Sequence, residues 1–488
     1  MNQITKKQFT YGALWKMLEG FSSKGITMVV SIIIARKLMP QDYGIVALTT
    51  IFLNLSDVLI EGGFGTALIR KKEIDDYDYS CVFTISFFIA VLLYSVFFLL
   101  APLIADYYNE PQFNPVFRVL GLTVFFQALL STRMASVNRN LQFRFLCISN
   151  IITSVLAGFV GILLAYSGLG VWAIVIQRLV YNALLSLFLC VKIKIAIRWR
   201  LKYERIKEIF SFSIGVVSAS LISFCTNNIY SAVIGKRYSV TDLGYYSKGN
   251  QLPEQFSLYT FSSVSGVLLP TISKCQNDIG RMKHIVRKVV SFTAYLIFPL
   301  MVGMMLTSDE LIVLLLTDKW RAAVPVMTGA CIYYIGMPFM LLNSQVYYAF
   351  GNSLLKVRVE IIRLVLMSFG LLIGSFLFNC TISQLAVIGG FVMLIVAFIS
   401  AIISGKMLNY SLFELFNDVW KSILCTVVMA MTILIVNHYL RFFGVSSILV
   451  SLGVKVFVGI FAYLISSIIF KVDGLGEIKT FFLGFIKR

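Results

Sequence analysis

Charge is scarce in this sequence. Only 13% of its 488 residues are Asp, Glu, Lys or Arg, against about 25% in an ordinary soluble domain. There are two histidines, His284 and His438, far apart in the chain, and no HExxH, so nothing points to a histidine-based metal site. The eight cysteines, at 81, 147, 190, 225, 275, 331, 380 and 425, never approach CxxC spacing. Most fall inside apolar runs, which leaves them as small packing residues. No GxxxxGK[ST] occurs, which removes the phosphate-cradling loop of an ATPase. GGFG at 62–65 ends a helix and reads as a turn. No metal and no cofactor is expected. Large loops are also missing: the longest outward one lies around ADYYNEPQFNP, 105–115. A membrane enzyme of polysaccharide assembly needs a larger folded loop to hold its acid and base.

What the chain has instead is apolar mass. Hydrophobic residues make up 58% of it and the mean hydropathy is +0.86. A soluble fold cannot hide that much apolar surface; a bilayer solvates it. A helix needs roughly 20 apolar residues to cross the hydrocarbon layer. Spans are predicted near 11–34, 43–65, 80–102, 116–134, 148–167, 171–191, 209–234, 243–272, 290–316, 323–349, 357–378, 384–404, 418–440 and 448–470. The fold class is therefore an all-α integral membrane protein with about fourteen transmembrane helices. The first apolar stretch is too long for a cleavable signal and carries Lys16, Glu19 and Lys24, so it reads as a retained helix.

The formal charge of +19 would suggest nucleic acid in a soluble protein. Here the basic residues punctuate apolar runs instead of forming a patch, so no nucleic-acid partner is expected. With the N-terminus inside, Lys and Arg are about four-fold richer in the cytoplasmic segments, Arg133, Arg358 and Arg363 counted with them, than in the opposite loops. Both termini are thus expected in the cytoplasm. The richest loop, KIKIAIRWRLKYERIKE at 192–208, suits either an amphipathic helix on anionic lipid or a plain topology anchor.

An internal repeat divides the chain. RKLMPQDYG (36–44) resembles KRYSVTDLG (236–244), matching Arg36/Lys236, Lys37/Arg237, Asp42/Asp242 and Gly44/Gly244 at an offset of 200. LIRKKEID (68–75) and TISKCQND (271–278) follow in the same order. The expectation is two pseudo-symmetric six-helix lobes, 1–191 and 209–404. A basic connector, 192–208, joins them, and 405–488 adds two C-terminal helices and a tail. An even number of spans per half relates the repeats by an axis along the membrane normal.

Ionisable residues inside spans cost roughly 2.5–3.5 kcal/mol each at the bilayer centre and persist where they meet protein or water. Lys16, Gly20 and Lys24 share one helical stripe, with Glu19 beside it. Asn54, Asp57 and Glu61 share another. Arg178 sits within the sixth span, and the eighth carries Lys248, Gln251 and Glu254. One reading is a hydrophilic cavity between the lobes. Lys16, Lys24, Arg178 and Lys248 would attract an anionic headgroup, with Asn54 and Gln251 replacing its water. Glu19, Asp57, Glu61 and Glu254 would balance charge or carry a coupling H+ or Na+. The competing reading is structural pairing and snorkelling; both stay open.

Several segments carry a resemblance: ARKLMPQDYG (35–44), LIEGGFGTALIRKKEI (59–74), ADYYNEP (105–111), NRNLQFRF (138–145), GLGVWAIVIQ (168–177), FSFSIGVVSASL (210–221), IGKRYSVTDLGYYSKGNQLPE (234–254) and LLPTISKCQND (268–278), with the DKW of 318–320 and the region after AFGNS, 349–353. In order and spacing they resemble the polysaccharide-transport family of the MOP superfamily, the repeat-unit flippases of O-antigen, capsule and colanic-acid type. The resemblance implies a protein of the bacterial inner membrane working by alternating access. The implied cargo is an undecaprenyl-diphosphate-linked oligosaccharide, its tail left among membrane lipids, with polysaccharide polymerase machinery downstream. No shared motif fixes the family's cavity residues, so none is carried over. A multidrug/cation antiporter of the same superfamily is the nearest alternative. It would favour an acidic, aromatic cavity, whereas cations here at least equal carboxylates. A lipid-II-type flippase differs only in cargo.

Overall fold

Helix boundaries fall where side chains can cap them. The structure, a computed structural model, describes residues 6–61, 68, 74–195, 203–273, 275, 278–445 and 447–472. Its helices are α1 (Lys6–Ala35), α2 (Pro40–Glu61), α3 (Asp76–Tyr108), α4 (Phe113–Gly121), α5 (Thr123–Arg139), α6 (Phe143–Tyr166), α7 (Val171–Lys192) and α8 (Tyr203–Arg237). They continue with α9 (Val240–Ser273), α10 (Ile279–Leu306), α11 (Ser308–Leu316), α12 (Val324–Ala349), α13 (Ser353–Leu372), α14 (Ile382–Leu408), α15 (Leu412–Phe442) and α16 (Ile448–Ile469). Asp75, Thr381 and Ser411 open α3, α14 and α15 with reciprocal capping boxes to Asp78, Gln384 and Glu414. Asn109 and Asn409 close α3 and α14 in the left-handed region, which Asn tolerates better than most residues. No strand occurs among the described residues.

Thirteen of the described segments are long and apolar enough to cross a membrane. α9 has the length, at 34 residues, but is more polar; with it the chain has about fourteen spans. Every predicted span has its helix, with two differences. The span at 116–134 is broken at Leu122 into α4 and α5, and that at 290–316 is broken at Thr307 into α10 and α11. The motif at 62–65 and most of the connector, 196–202, lie outside the described residues.

By proximity the chain forms two compact units, 1–244 and 245–488. In the first, α1 packs on α6, α6 on α7, and α8 on α2 and α3. In the second, α12 packs on α14, α10 on α15 and α12, and α15 on α16. Lipid tails are as apolar as leucine, so hydrophobicity alone does not hold spans together; small residues and interhelical hydrogen bonds do. A Cβ at Gly158 of α6 would lie 2.5 Å from Val30 of α1, and one at Gly161 2.9 Å from Gln177 of α7. In the second unit, Gly329 and Gly390 let α12 and α14 touch. The same seam is tied by Tyr347 donating to the Ser400 carbonyl at 2.8 Å and Ser404 donating to Asn343 at 2.8 Å.

The sequence repeat is a physical contact. The Cβ missing from Gly44 would sit 1.8 Å from the carbonyl oxygen of Val240, and that missing from Gly244 would sit 1.9 Å from the carbonyl oxygen of Pro40. Pro40 and Val240 carry the same offset of 200 as the two glycines, so the first turns of α2 and α9 cross reciprocally. Each turn is capped by one half of a capping box: the Met39 amide donates to the Asp42 side chain at 2.9 Å, and at the equivalent positions the Asp242 amide donates to the Ser239 side chain at 2.9 Å.

Charge enters the second unit in pairs. Lys455, 2% exposed on an otherwise apolar α16, donates to Glu310 of α11, and Ser451 donates to the same oxygen at 3.2 Å. Arg287 grips Asp418 with two hydrogen bonds at 2.8 and 2.7 Å, fastening α10 to α15. Tyr410 donates to Asp418 at 2.6 Å. Burial first, then that hydrogen bond, pushes its phenol above the ordinary value, so it keeps its proton.

Two outcomes follow. Gly44→Ala and Gly244→Ala each lower the melting temperature of the detergent-purified protein, an overpacking cost of about 1–3 kcal/mol or more. Gly303→Ala, whose methyl meets nothing within 4 Å, does not. Equal melting of all three would contradict the crossing. Lys455→Met destabilises by about 3–5 kcal/mol through the uncompensated Glu310, and adding Glu310→Gln recovers most of the loss, both read by thermal unfolding.

Candidate functional site

In the first unit the polar residues gather where α1, α2, α6 and α7 meet. Thr50, Asn54, Asp57 and Glu61 recur along one face of α2. From α7, the half-buried Arg178 donates to the Thr50 hydroxyl at 2.9 Å. The charges of Arg178 and Glu61 both bear on Asp57. Among the described residues no hydrogen bond or ion pair closes on the Asp57 carboxylate itself. The guanidinium is therefore fixed by a neutral hydroxyl beside a carboxylate, an arrangement that keeps donors for an incoming anion.

One turn on along α7, Tyr181 donates to the Asn150 side-chain carbonyl of α6 at 3.1 Å, and the Asn150 amide donates to Glu19 of α1 at 2.8 Å. Flipping the amide would set its carbonyl against the carboxylate, so the direction of this chain is determined. Ser23 of α1 hydrogen-bonds Tyr181 and lies 3.4 Å from Ser154 of α6. Arg144, at the start of α6, stands over the Trp15 ring at 5.7 Å.

In the second unit, Lys248 of α9 is 3% exposed and donates to Gln251, one turn on, at 2.9 Å. Glu254 faces outward on α9 and accepts from the Tyr334 hydroxyl of α12. Arg363 and Glu360 of α13 pair at 3.0 Å, both buried.

Of the residues singled out by sequence, the structure brings Asp57 together with Arg178 and Glu61, and Lys248 together with Gln251. Glu19 lies in the adjoining network. Asn54 is half-buried on the α2 stripe, and Lys24 is exposed on α1. The Lys16 side chain lies outside the described residues. Sequence reasoning missed Thr50, Asn150, Ser154, Tyr181 and Tyr334. Asn150 and Ser154, four apart in an apolar span, were a legible signal. It also counted Arg133 and Arg363 as topology markers. Both are buried: Arg133 donates to the Leu129 carbonyl at 2.8 Å, and Arg363 pairs with Glu360.

Residues 33–325 match the family described as polysaccharide biosynthesis protein. The chain is 24% identical over 325 residues to the succinoglycan biosynthesis transport protein ExoT of Rhizobium meliloti, 66% of each chain. It is 23% identical over 326 residues to the lipopolysaccharide biosynthesis protein WzxC of Escherichia coli, again 66% of each. The aligned region thus falls just short of two thirds of these relatives' length. The teichuronic acid biosynthesis protein TuaB of Bacillus subtilis is 22% identical over 358 residues, 72% of this chain and 73% of that one. Among solved structures, the lipid II flippase MurJ in an inward closed conformation superposes with a TM-score of 0.71 at 15% identity, covering 96% of this chain and 98% of that one. An inward-facing multidrug resistance MATE family transporter of the MOP superfamily gives 0.65 at 13% identity, covering 81% and 98%. These likenesses establish the fold. With more than half of its length matched, the chain belongs to the polysaccharide biosynthesis protein family, and its helical fold is like that of these two solved structures.

Proposed function

We propose that this protein is a flippase that moves a polyprenyl-diphosphate-linked oligosaccharide across the bacterial inner membrane by alternating access, for assembly of a surface polysaccharide. The observation that carries the proposal is the cluster of Arg178, Thr50, Asp57, Glu19 and Asn150 set within four predominantly apolar spans. Ionisable groups persist at that depth where they serve a polar path. A sugar headgroup cannot cross about 30 Å of hydrocarbon unaided, because its hydroxyls would lose their water partners. Asn, Ser and Tyr side chains replace those partners, and Arg178 with Lys16, Lys24 and Lys248 suits the diphosphate. The lipid tail stays in the membrane, and no covalent chemistry is required.

The finer assignments belong to the same reading. Both termini lie in the cytoplasm, on the basis of the Lys and Arg bias. Residues 1–191 and 209–404 are the two repeats, joined by 192–208 and followed by 405–488. Glu19, Asp57, Glu61 and Glu254 balance charge or carry H+ or Na+, and polymerase machinery receives the cargo. The likeness to a multidrug transporter supports a second reading, export of organic cations, which the same strain separates.

Deletion of the gene is expected to abolish the surface polymer and to leave lipid-linked repeat units on the cytoplasmic face. Normal polymer in a strain with no compensating flippase would overturn the proposal, and hypersensitivity to cationic drugs in its place would favour the second reading. Arg178→Ala and Lys24→Ala are expected to lower polymer export at unchanged protein level, measured by immunoblot beside polymer quantification. Full export in both would remove these residues from the cargo path.

A further inference from the structure

The polar residues of the second unit are not explained by a diphosphate site. Glu254 turns outward from α9 and is held by the Tyr334 hydroxyl. Tyr333 stands beside Tyr334, ring centroids 5.0 Å apart and planes at 73°. Tyr333 lies within electrostatic reach of the charges of Arg363, Glu360 and Glu254, and the Tyr246 phenol also bears on Tyr334. Behind the tyrosines the Glu360–Arg363 pair is 6% and 2% exposed.

The framework that holds this group is independent of it. Ser257 of α9, fully buried, donates to the Tyr334 carbonyl at 3.0 Å. A Cβ at Gly249 would come within 2.9 Å of the Ala323 carbonyl oxygen and of Val326. These two contacts, on either side of Glu254, fix the register of α9 against α12, so Glu254 and Tyr334 cannot slide past one another.

An outward carboxylate on a membrane span is costly unless it meets water or a polar ligand. Glu254 offers acceptors only, and would repel a phosphate. Tyr333, half-buried, offers a hydroxyl together with a flat apolar face, while Tyr334 is buried and uses its proton to hold Glu254. Acceptors for hydroxyl donors, next to a ring on which a C–H face can lie, are the complement of a sugar. We propose that Glu254 and Tyr333 form a hydroxyl-recognising subsite for the sugar portion of the cargo, with the buried Tyr334, which holds Glu254, and the buried Glu360–Arg363 pair as positioning residues. The inference rests on the flippase reading above. A site built to pair hydroxyls discriminates strongly against a ligand lacking them, because its own polar groups are then left unmatched.

The test uses the purified full-length protein in nanodiscs and two probes that split the cargo. Farnesyl diphosphate carries the anion without the sugar. The oligosaccharide released by mild acid from the strain's own lipid-linked repeat unit carries the sugar without the diphosphate. Glu254→Gln and Tyr334→Phe are expected to weaken oligosaccharide binding by about tenfold or more and to leave farnesyl diphosphate unchanged, with Arg178→Ala doing the reverse. Arg363→Leu should act like Tyr334→Phe, and Arg363→Lys should recover most of the oligosaccharide affinity. Unchanged oligosaccharide binding in both Glu254→Gln and Tyr334→Phe overturns the subsite, as does loss of both probes in the near-isosteric Glu254→Gln. Binding of tetraphenylphosphonium in competition with the oligosaccharide overturns it in favour of a cation site. Failure of the wild type to bind farnesyl diphosphate strikes instead at the flippase reading.

Discussion

A charged or hydrogen-bonding group inside a bilayer has no water to fall back on, and most of what is distinctive in this protein answers that constraint. Arg178 is held by Thr50 beside Asp57, Lys248 by Gln251, Lys455 by Glu310, and Arg363 by Glu360. The Arg178–Thr50 and Lys455–Glu310 contacts join different helices and fix a register that apolar side chains alone would leave free, since leucine packs on lipid as readily as on another helix, whereas Lys248–Gln251 and Arg363–Glu360 each close within one helix. The hydrogen-bond chain from Tyr181 through Asn150 to Glu19 extends the same rule across three helices. Its polarity converges on the carboxylate, which makes Glu19 part of an interhelical network and not an isolated charge.

The close seams are made in a second way, by removing side chains. Gly158 against Val30, Gly329 and Gly390 between α12 and α14, and the reciprocal pair Gly44 and Gly244 bring backbones into direct contact. On the α1–α6 seam both devices share one face: Asn150, Ser154 and Gly158, four residues apart along α6, meet Glu19, Ser23 and Val30 of α1 in turn, polar contacts at one end and close backbone approach at the other.

The chemistry of the two units differs. The first holds a guanidinium beside a carboxylate that no hydrogen bond closes among the described residues, suited to a diphosphate. The second holds a carboxylate framed by tyrosines, suited to hydroxyls. On the proposed flippase reading both would meet one cargo; the matched relatives are named for succinoglycan, lipopolysaccharide and teichuronic acid biosynthesis. Such a division would let a common lipid diphosphate be recognised in one place while the variable sugar is recognised in another.

Composition and periodicity alone determined the membrane class and all the spans, because crossing hydrocarbon demands about 20 apolar residues in a row and nothing else in a sequence looks like that. The repeat at offset 200 was equally legible, since it is written in like residue types, a basic pair followed by an identical Asp and Gly. The stripes on α1, α2 and α9 could be read because they need only the helical period. What no local pattern could supply was partnership. Asn150, Tyr181 and Tyr334 looked like ordinary polar residues in apolar spans. Arg363 looked like a topology marker, because a guanidinium near a span's end reads the same whether it meets lipid headgroups or a buried carboxylate. Only the tertiary structure decided these cases, for a physical reason: the Asn150–Glu19 hydrogen bond joins side chains about 3 Å apart in space but 131 residues apart in the chain, and Arg363, whose partner Glu360 is only three residues away, is told from a surface pair by its burial alone.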